Sequence, residues 1–327
     1  DGWLIKIDSN GNHQWNKTFG GKERDELYSV QQTSDGGFVV AGSTTPNETT
    51  LSDFWLIKLD FNGNIQWNKT FDSSLYDFAY SVQQTTDGGY VVAGHNVPLM
   101  PQGFGFGSFV WLVKTDSNGN IQWNKTLSSH ANSIAYSIQQ TTDDSYILAG
   151  VGGLDFMLIK IDSNGTEEWI KRFDSGSLDA AHSVQQTSDG SFVATGFRSL
   201  FGKDVWLIKT DSNGNHQWNK TLGRSAIEAR YSFQQTTDGG YVVTGVNGSP
   251  GGSFSDIFVV KTDSDGNEEW NKNISSNISG LSSAFSIKQT SDNGYIISGA
   301  VPTEFKGSKD FWIIKLKGTC TPDWVLN

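Results

Sequence analysis

The stretch DFWLIKLDFNGNIQWNKTF at residues 53–71, followed by SVQQTTDGGYVVAG at residues 81–94, decides the fold. Its runs are rich in Val, Ile, Trp, Tyr, Phe and Thr and are bounded by Gly, Asn, Asp or Ser, which predicts short strands joined by hairpins. Asp8-Ser9-Asn10-Gly11-Asn12, in the matching place of another copy, contains Asn-Gly. Both residues of that pair tolerate the positive φ of a tight hairpin. Asp87-Gly88-Gly89 serves the second hairpin in the same way. Phe54-Trp55-Leu56-Ile57 is apolar on both faces, which predicts a strand covered on both sides. The run after it alternates, with Ile65, Trp67 and Phe71 on one face and Gln66, Asn68 and Thr70 on the other.

The pattern recurs along the whole chain. The Trp-Leu-Ile-Lys block or a variant stands around Trp3, Trp55, Trp111, Met157, Trp206, Phe258 and Trp312, at spacings of 52, 56, 46, 49, 52 and 54 residues. Gln-Trp-Asn-Lys-Thr or a relative follows at Trp15, Trp67, Trp123, Trp169, Trp218 and Trp270. Ser-Val-Gln-Gln-Thr begins at Ser29, Ser81, Ser137, Ser183, Ser232 and Ser286, and Tyr-Val-Val-Ala-Gly ends at Gly42, Gly94, Gly150, Gly196, Gly245 and Gly299. Four strands per repeat of roughly 50 residues describe one blade of a β-propeller. The prediction is an all-β, six-bladed propeller of four-stranded antiparallel blades in a single domain, residues 1–327.

The run Asp204-Val205-Trp206-Leu207-Ile208-Lys209, then Gly214, Trp218 and Gly223, then Gly239, Tyr241, Val242, Val243 and Gly245, resembles the propeller repeats of bacterial and archaeal secreted and cell-surface proteins, the SBBP type. The resemblance implies that Ser-Val-Gln-Gln-Thr is the innermost strand A, Tyr-Val-Val-Ala-Gly is B, Trp-Leu-Ile-Lys is C and Gln-Trp-Asn-Lys-Thr is the outer strand D. In that register residues 1–19 supply a C–D pair that closes the last blade, 20–282 five blades, 283–316 the last blade's strands and 317–327 a tail. The strand count is then twenty-five, with 1–7 and 310–316 competing for one C position. The surplus strand is either a frayed edge or a strand that pairs with a neighbouring molecule, with Cys320 and Trp324 close to it. The chain begins inside a repeat, as a processed or trimmed chain would.

Consecutive hairpins put the A–B and C–D loops on one face and the B–C and D–A loops on the other. The first set is nearly constant and the second variable, so recognition is expected on the variable face. Phe104 and Phe106 in a Gly-rich loop, and Phe201, are the candidate ligand residues there. The Ser, Gln and Thr of the inner strands are expected to line a polar channel. Asp263-Ser264-Asp265-Gly266-Asn267 resembles the opening of a calcium loop but lacks its distal Glu. Calcium is therefore the one cofactor weighed, and none is expected.

A net charge of −11 argues against nucleic-acid or anionic-membrane partners. No apolar run is long enough to span a membrane. The single cysteine excludes an internal disulfide and a Cys-based metal site. No nucleophile elbow, phosphate loop or His pair at ligand spacing is present, so no enzyme activity is expected. His13 and His216 share one turn-adjacent repeat position and read as surface residues, whereas His182 replaces a Tyr and reads as packing. Asn-x-Ser/Thr occurs at Asn16, Asn47, Asn68, Asn124, Asn164, Asn219, Asn247, Asn273 and Asn277, several on the outward face of strand D, where glycans meet no packing conflict. These features lead to an extracellular, glycosylated, structural or adhesive cell-surface propeller, self-associating through a terminal strand. The alternative is a carbohydrate-binding propeller.

Overall fold

The computed structural model describes residues 1–46, 51–73, 76–97, 107–127, 132–199, 203–225, 231–248, 255–275, 282–302, 309–318 and 322–326. Among them are twenty-six strands and no helix. A two-stranded antiparallel sheet, β1 (Gly2–Ile7) and β2 (His13–Phe19), comes first. The first blade is β3 (Asp25–Gln32), β4 (Phe38–Thr44), β5 (Asp53–Leu59) and β6 (Ile65–Phe71). The second is β7 (Tyr76–Gln84), β8 (Tyr90–Val97), β9 (Phe109–Thr115) and β10 (Ile121–Leu127). The third is β11 (Ser133–Gln140), β12 (Tyr146–Gly152), β13 (Asp155–Ile161) and β14 (Glu167–Phe173). The fourth is β15 (Ala180–Gln186), β16 (Phe192–Arg198), β17 (Lys203–Thr210) and β18 (His216–Ser225). The fifth is β19 (Ser232–Gln235), β20 (Tyr241–Gly248), β21 (Ser255–Thr262) and β22 (Glu268–Ile274). The sixth is β23 (Ser283–Gln289), β24 (Tyr295–Pro302), β25 (Lys309–Leu316) and β26 (Pro322–Leu326). The six four-stranded antiparallel blades are in a propeller arrangement.

Two compact units divide the chain, Asp1–Gly153 with Met157–Arg172, and Leu154–Phe156 with Phe173–Asn327. In the first, sheets stack face to face through apolar side chains. Val40, on one face of β4, packs with Phe19, Leu4 and Trp55 toward the β1–β2 sheet. Val39 and Ala41, on the other face, pack with Phe54, Ala79 and Trp111 toward the second blade. Both faces of β4 are thus dry, as its apolar run requires. The outer Trp of each sheet lies edge-on to the next blade's aromatic, Trp15 on Phe38 at 5.8 Å and Trp67 on Tyr90 at 5.6 Å. In the second unit Trp218 meets Tyr241 at 6.1 Å and Trp270 meets Tyr295 at 5.9 Å.

Strand A is bulged against strand B in five blades, between Leu27 and Ser29, Ala79 and Ser81, Ala135 and Ser137, Ala181 and Ser183, and Ala284 and Ser286. The bulge pushes strand A's backbone toward its partner, which explains the glycine that ends each B block. A Cβ on Gly94 would lie 1.8 Å from the carbonyl oxygen of Phe78.

The closing strands differ from the expected assignment. The last blade is completed by its own β25 and β26, not by β1 and β2. Residues 317–327 are not merely a tail, because β26 is a seventh D strand. Trp324 follows Trp312 by 12 residues, the interval that separates Trp55 from Trp67. Asp-Trp-Val-Leu replaces Gln-Trp-Asn-Lys there, so the block was hidden by its composition while its spacing stayed intact. Residues 1–7 and 310–316 therefore do not compete. Both are C strands; among the described residues β25 is hydrogen-bonded on both sides and β1 to β2.

Candidate functional site

The constant-loop face is held by side chains of the repeat itself. In each four-stranded blade the C-strand lysine reaches the Asp of the A–B turn: Lys58 to Asp35, Lys114 to Asp87 and Lys160 to Asp143 at 2.8 Å in the first unit. In the second, Lys209 pairs with Asp189, Lys261 with Asp238 and Lys315 with Asp292. Asp35 sits at about 2, held down by hydrogen bonds from Lys58, Thr33 and Gly37 against the upward pull of burial. Where the turn reads Asp-Gly-Gly, the lysine also donates to a carbonyl, as Lys58 does to Leu59 and Lys114 to Thr115, both at 3.0 Å. A Cβ at Gly37 would lie 2.6 Å from Lys58 Nζ. In the copies carrying Ser145 and Ser191, no such carbonyl bond joins the described contacts of Lys160 and Lys209, whose side chains are 11% and 14% exposed against 4% for Lys58.

The C–D turn closes on its own aspartate. Asp263 Oδ1 accepts the N–H groups of Asp265 and Asn267 at 3.0 and 2.8 Å, and Oδ2 accepts Asn267 Nδ2 at 2.9 Å. The carboxylate weighed for calcium is thus engaged by its turn. The inner-strand polar residues have a similar role. Strand A exposes unpaired N–H groups along its free edge. Gln31 Oε1 accepts Gln84 N at 2.6 Å, Ser29 Oγ accepts Val82 N at 3.3 Å, and Gln83 Oε1 accepts Gln140 N at 2.5 Å. In the second unit Gln234 accepts Gln289 N at 2.6 Å. The repeated Ser-x-Gln thus laces consecutive blades together.

The bulges position a feature that sequence reading passed over. An aromatic or His residue precedes each Ser-Val-Gln-Gln block: Tyr28, Tyr80, Tyr136, His182, Tyr231 and Phe285. In the first unit the rings of Tyr28 and Tyr80 lie 5.0 Å apart and those of Tyr80 and Tyr136 5.4 Å apart. All three are half-buried. His95 stacks on Tyr80 at 5.6 Å and on Phe78 at 5.2 Å, and burial pushes it down to about 4, so it is neutral. His95 lies in β8. The Tyr28 hydroxyl donates to Glu26, which pairs with Arg24 at 2.8 Å. In the second unit His182 stacks on Tyr231 at 5.7 Å, in keeping with a packing role. The signal was one more aligned column of the repeat.

A second feature lies on the variable-loop face, where the first blade meets the second. Asp53 opens β5, Asp72 follows β6 and Asp77 lies near the start of β7, and their carboxylate oxygens all lie within 4.8 Å of one another. Burial, with the charges of Asp72 and Asp77, pushes Asp53 up to about 6. Asp77 holds the D–A turn by accepting Ser73 N and Ser73 Oγ, both at 2.7 Å. These three are the described residues whose donors could converge on a metal.

Of the sequon residues, Asn16, Asn68, Asn124, Asn164, Asn219 and Asn273 are exposed. Asn68 Oδ1 also accepts the indole N–H of Trp55 at 2.7 Å, and Asn219 that of Trp206 at 3.3 Å. Asn247 lies on β20 with its side chain outside the described residues, and Asn47 and Asn277 lie outside them entirely. So do Phe104, Phe106, Phe201 and Cys320. His13 and His216 are exposed and bond Asn16 and Asn219, each at 2.9 Å.

This architecture defines a six-bladed β-propeller, and solved structures are similar to it in fold. A protein of unknown function from Dyadobacter fermentans is similar over 89% of this chain and 94% of its own, with TM-score 0.58 and 13% identity. Sqt1 from Chaetomium thermophilum is similar over 94% of this chain and 72% of its own, with TM-score 0.55 and 12% identity. The NanB sialidase of Streptococcus pneumoniae is similar over 93% of this chain and 70% of its own, with TM-score 0.57 and 9% identity. At these identities the likeness is one of fold alone. No family model and no curated protein matches the sequence.

Proposed function

We propose that this protein is a non-enzymatic, adhesive propeller of a microbial cell surface that recognises a carbohydrate through the aromatic tier on its inner strands. The row Tyr28–Tyr80–Tyr136 carries this reading. Tyr combines a flat apolar face with a polar rim and loses little conformational freedom on binding. It sits on rigid strands rather than on a loop. The Lys, Asp, Ser and Gln side chains of the repeat are engaged in holding blades together, which favours a scaffold that binds over one that reacts. Exposed sequons at six described positions, together with the resemblance to secreted surface repeats, support an extracellular, glycosylated setting. Glycan-array binding tests the reading, with the folded double variant Tyr28→Ala/Tyr80→Ala as the comparison. Binding that disappears in the variant is expected, and binding that survives it refutes the tier as the site.

Self-association is the second reading. It is supported by β1, which among the described residues is hydrogen-bonded to β2, leaving an edge of the kind that can take a further strand. Electron microscopy of native material showing filaments or layers would favour it, and dispersed single particles would reject it.

A further inference from the structure

The acidic corner between the first and second blades differs from its repeat equivalents in a way that points to a ligand. Counted from the strand blocks, its positions Asp53, Asp72, Asp77 and Asn96 correspond to Asp1, Gly20, Asp25 and Thr44 one repeat earlier. Two repeats later they correspond to Asp155, Asp174, Asp179 and Arg198. The earlier corner has two carboxylates. The later one has three, with an arginine in the fourth position. The corner at Asp53 has three carboxylates and a neutral Asn, and none of the described ion pairs uses Asp53 or Asp72.

Asn96 supplies the second observation. It is the cross-strand partner of Asp77 and only 4% exposed. Its head is turned to the cluster, because Nδ2 donates to Ser73 Oγ at 2.9 Å and Ser73 Oγ donates to Asp77 Oδ1 at 2.7 Å. A longer contact joins Nδ2 to Thr126 Oγ1 at 3.4 Å. Its Oδ1 is buried without a hydrogen-bond donor among the described residues. An unpaired buried oxygen costs about 1–3 kcal/mol unless a ligand engages it.

We propose that Asp53, Asp72 and Asp77, with the side-chain oxygen of Asn96, hold a divalent cation of the calcium class. All the donors are oxygen, the set that hard cations take. Two ligands each about 2.4 Å from a shared calcium are at most about 4.8 Å apart, and the carboxylate oxygens all lie within that distance of one another. Magnesium demands a tighter octahedron at about 2.0–2.1 Å. Asp72 is exposed, so water can complete the shell of a larger, more flexible ion. Two positive charges would offset the three carboxylates, at a corner where the later repeat carries an arginine in the position of Asn96. This proposal stands apart from the carbohydrate reading and survives its failure.

Calorimetry on the EDTA-stripped full chain tests it, with calcium chloride as the probe and magnesium chloride as the comparison. One calcium with a Kd on the order of 10⁻⁴ M is expected, the range of extracellular modules. Asp53→Asn/Asp72→Asn is expected to weaken binding by about tenfold or more, as ligand charge falls. In EDTA its Tm should match or exceed the wild type, since repulsion is relieved. Asn96→Arg is expected to abolish binding by supplying the cation internally. The proposal is overturned by absence of calcium heat up to about 10 mM, well above that range, or by wild-type affinity in the double variant. A lower Tm of that variant in EDTA, marking the carboxylates as turn-holding groups, would also overturn it.

Discussion

Replacing Asp35 by Asn is expected to destabilise the chain more than replacing Lys58 by Met. The Lys58 side chain is 4% exposed and that of Asp35 is 52% exposed, so the two losses are unequal. Asp35→Asn leaves a desolvated ammonium facing a neutral amide and the Leu59 carbonyl, which remains at 3.0 Å. An uncompensated buried charge costs about 3–5 kcal/mol. The lower end applies here, because the carbonyl stays and the Asn oxygen can still accept Gly37 N. Lys58→Met leaves a half-exposed carboxylate that water can solvate, and Met fills the buried volume. The loss is then one hydrogen bond to a charged group, about 1.5–3 kcal/mol, offset by the desolvation no longer incurred. A net cost of about 1–2 kcal/mol follows. The double variant should resemble Lys58→Met, giving a coupling of about 3 kcal/mol, at the upper end of the usual span for contacting residues. Urea denaturation of the four proteins reads this directly. In a carboxyl NMR titration, Lys58→Met should also raise Asp35 from about 2 toward the ordinary value. The reasoning is refuted if Lys58→Met is the more damaging change, or if the single effects add within about 0.5 kcal/mol.

Gly94→Ala is expected to cost about 1–3 kcal/mol by overpacking, since its Cβ would meet the Phe78 carbonyl at 1.8 Å. Gly88→Ala, at φ 82° with open space around it, should cost about 1 kcal/mol through backbone strain instead, and comparing the two melting temperatures separates sterics from strain. Asp35, Asp87, Asp143 and Asp238 are all held at about 2. A depressed folded-state value stabilises above the unfolded value of about 3.9 and loses that contribution as pH falls toward about 2, so melting temperature should be level above pH 5 and fall steeply between pH 4 and 2. Asn68→Ala should cost about 1 kcal/mol by stranding the Trp55 indole N–H. Conversely, Val325 holds Asn68's register, opposite Ile314 as Asn68 is opposite Ile57, and Trp312 Nε1 is buried without a hydrogen-bond partner among the described residues. Val325→Asn should therefore gain a few tenths to about 1 kcal/mol in chemical denaturation.

Strand identity and order were legible because each strand in a stack must bury side chains on both faces, and few residue types do so. Phe54-Trp55-Leu56-Ile57 could hardly be anything else. The last D strand was missed for the opposite reason. Trp324-Val325-Leu326 lacks the Asn and Lys that mark its relatives, and only the 12-residue interval from Trp312 identifies it. Reading the Gln and Ser of strand A as channel lining followed from their polarity. Their use as acceptors for the next blade's N–H groups needs the approach of two strands far apart in sequence, Gln31 and Gln84 being 53 residues apart. The acidic corner was illegible for the same reason, since Asp53 and Asp77 come from different blades.

The repeated asparagine shows how a repeat can mislead about function. Four copies of Gln-Trp-Asn-Lys-Thr make four sequons, yet the same Asn accepts a buried indole N–H at Trp55 and Trp206. Where strand C carries Met157, which has no N–H to satisfy, strand D carries Ile170 in place of Asn. Phe258 also lacks an N–H, yet Asn271 stands in that column, so indole pairing accounts for some copies of the asparagine and not for all. A position that every copy shares is explained by what every blade needs, namely stacking and turn closure. A ligand needs something that only one place offers. The positions that matter are thus those where the copies disagree while the surrounding geometry does not. Asp72 against Gly20, and Asn96 against Arg198 and Thr44, are such positions, and all of them fall on the variable-loop face.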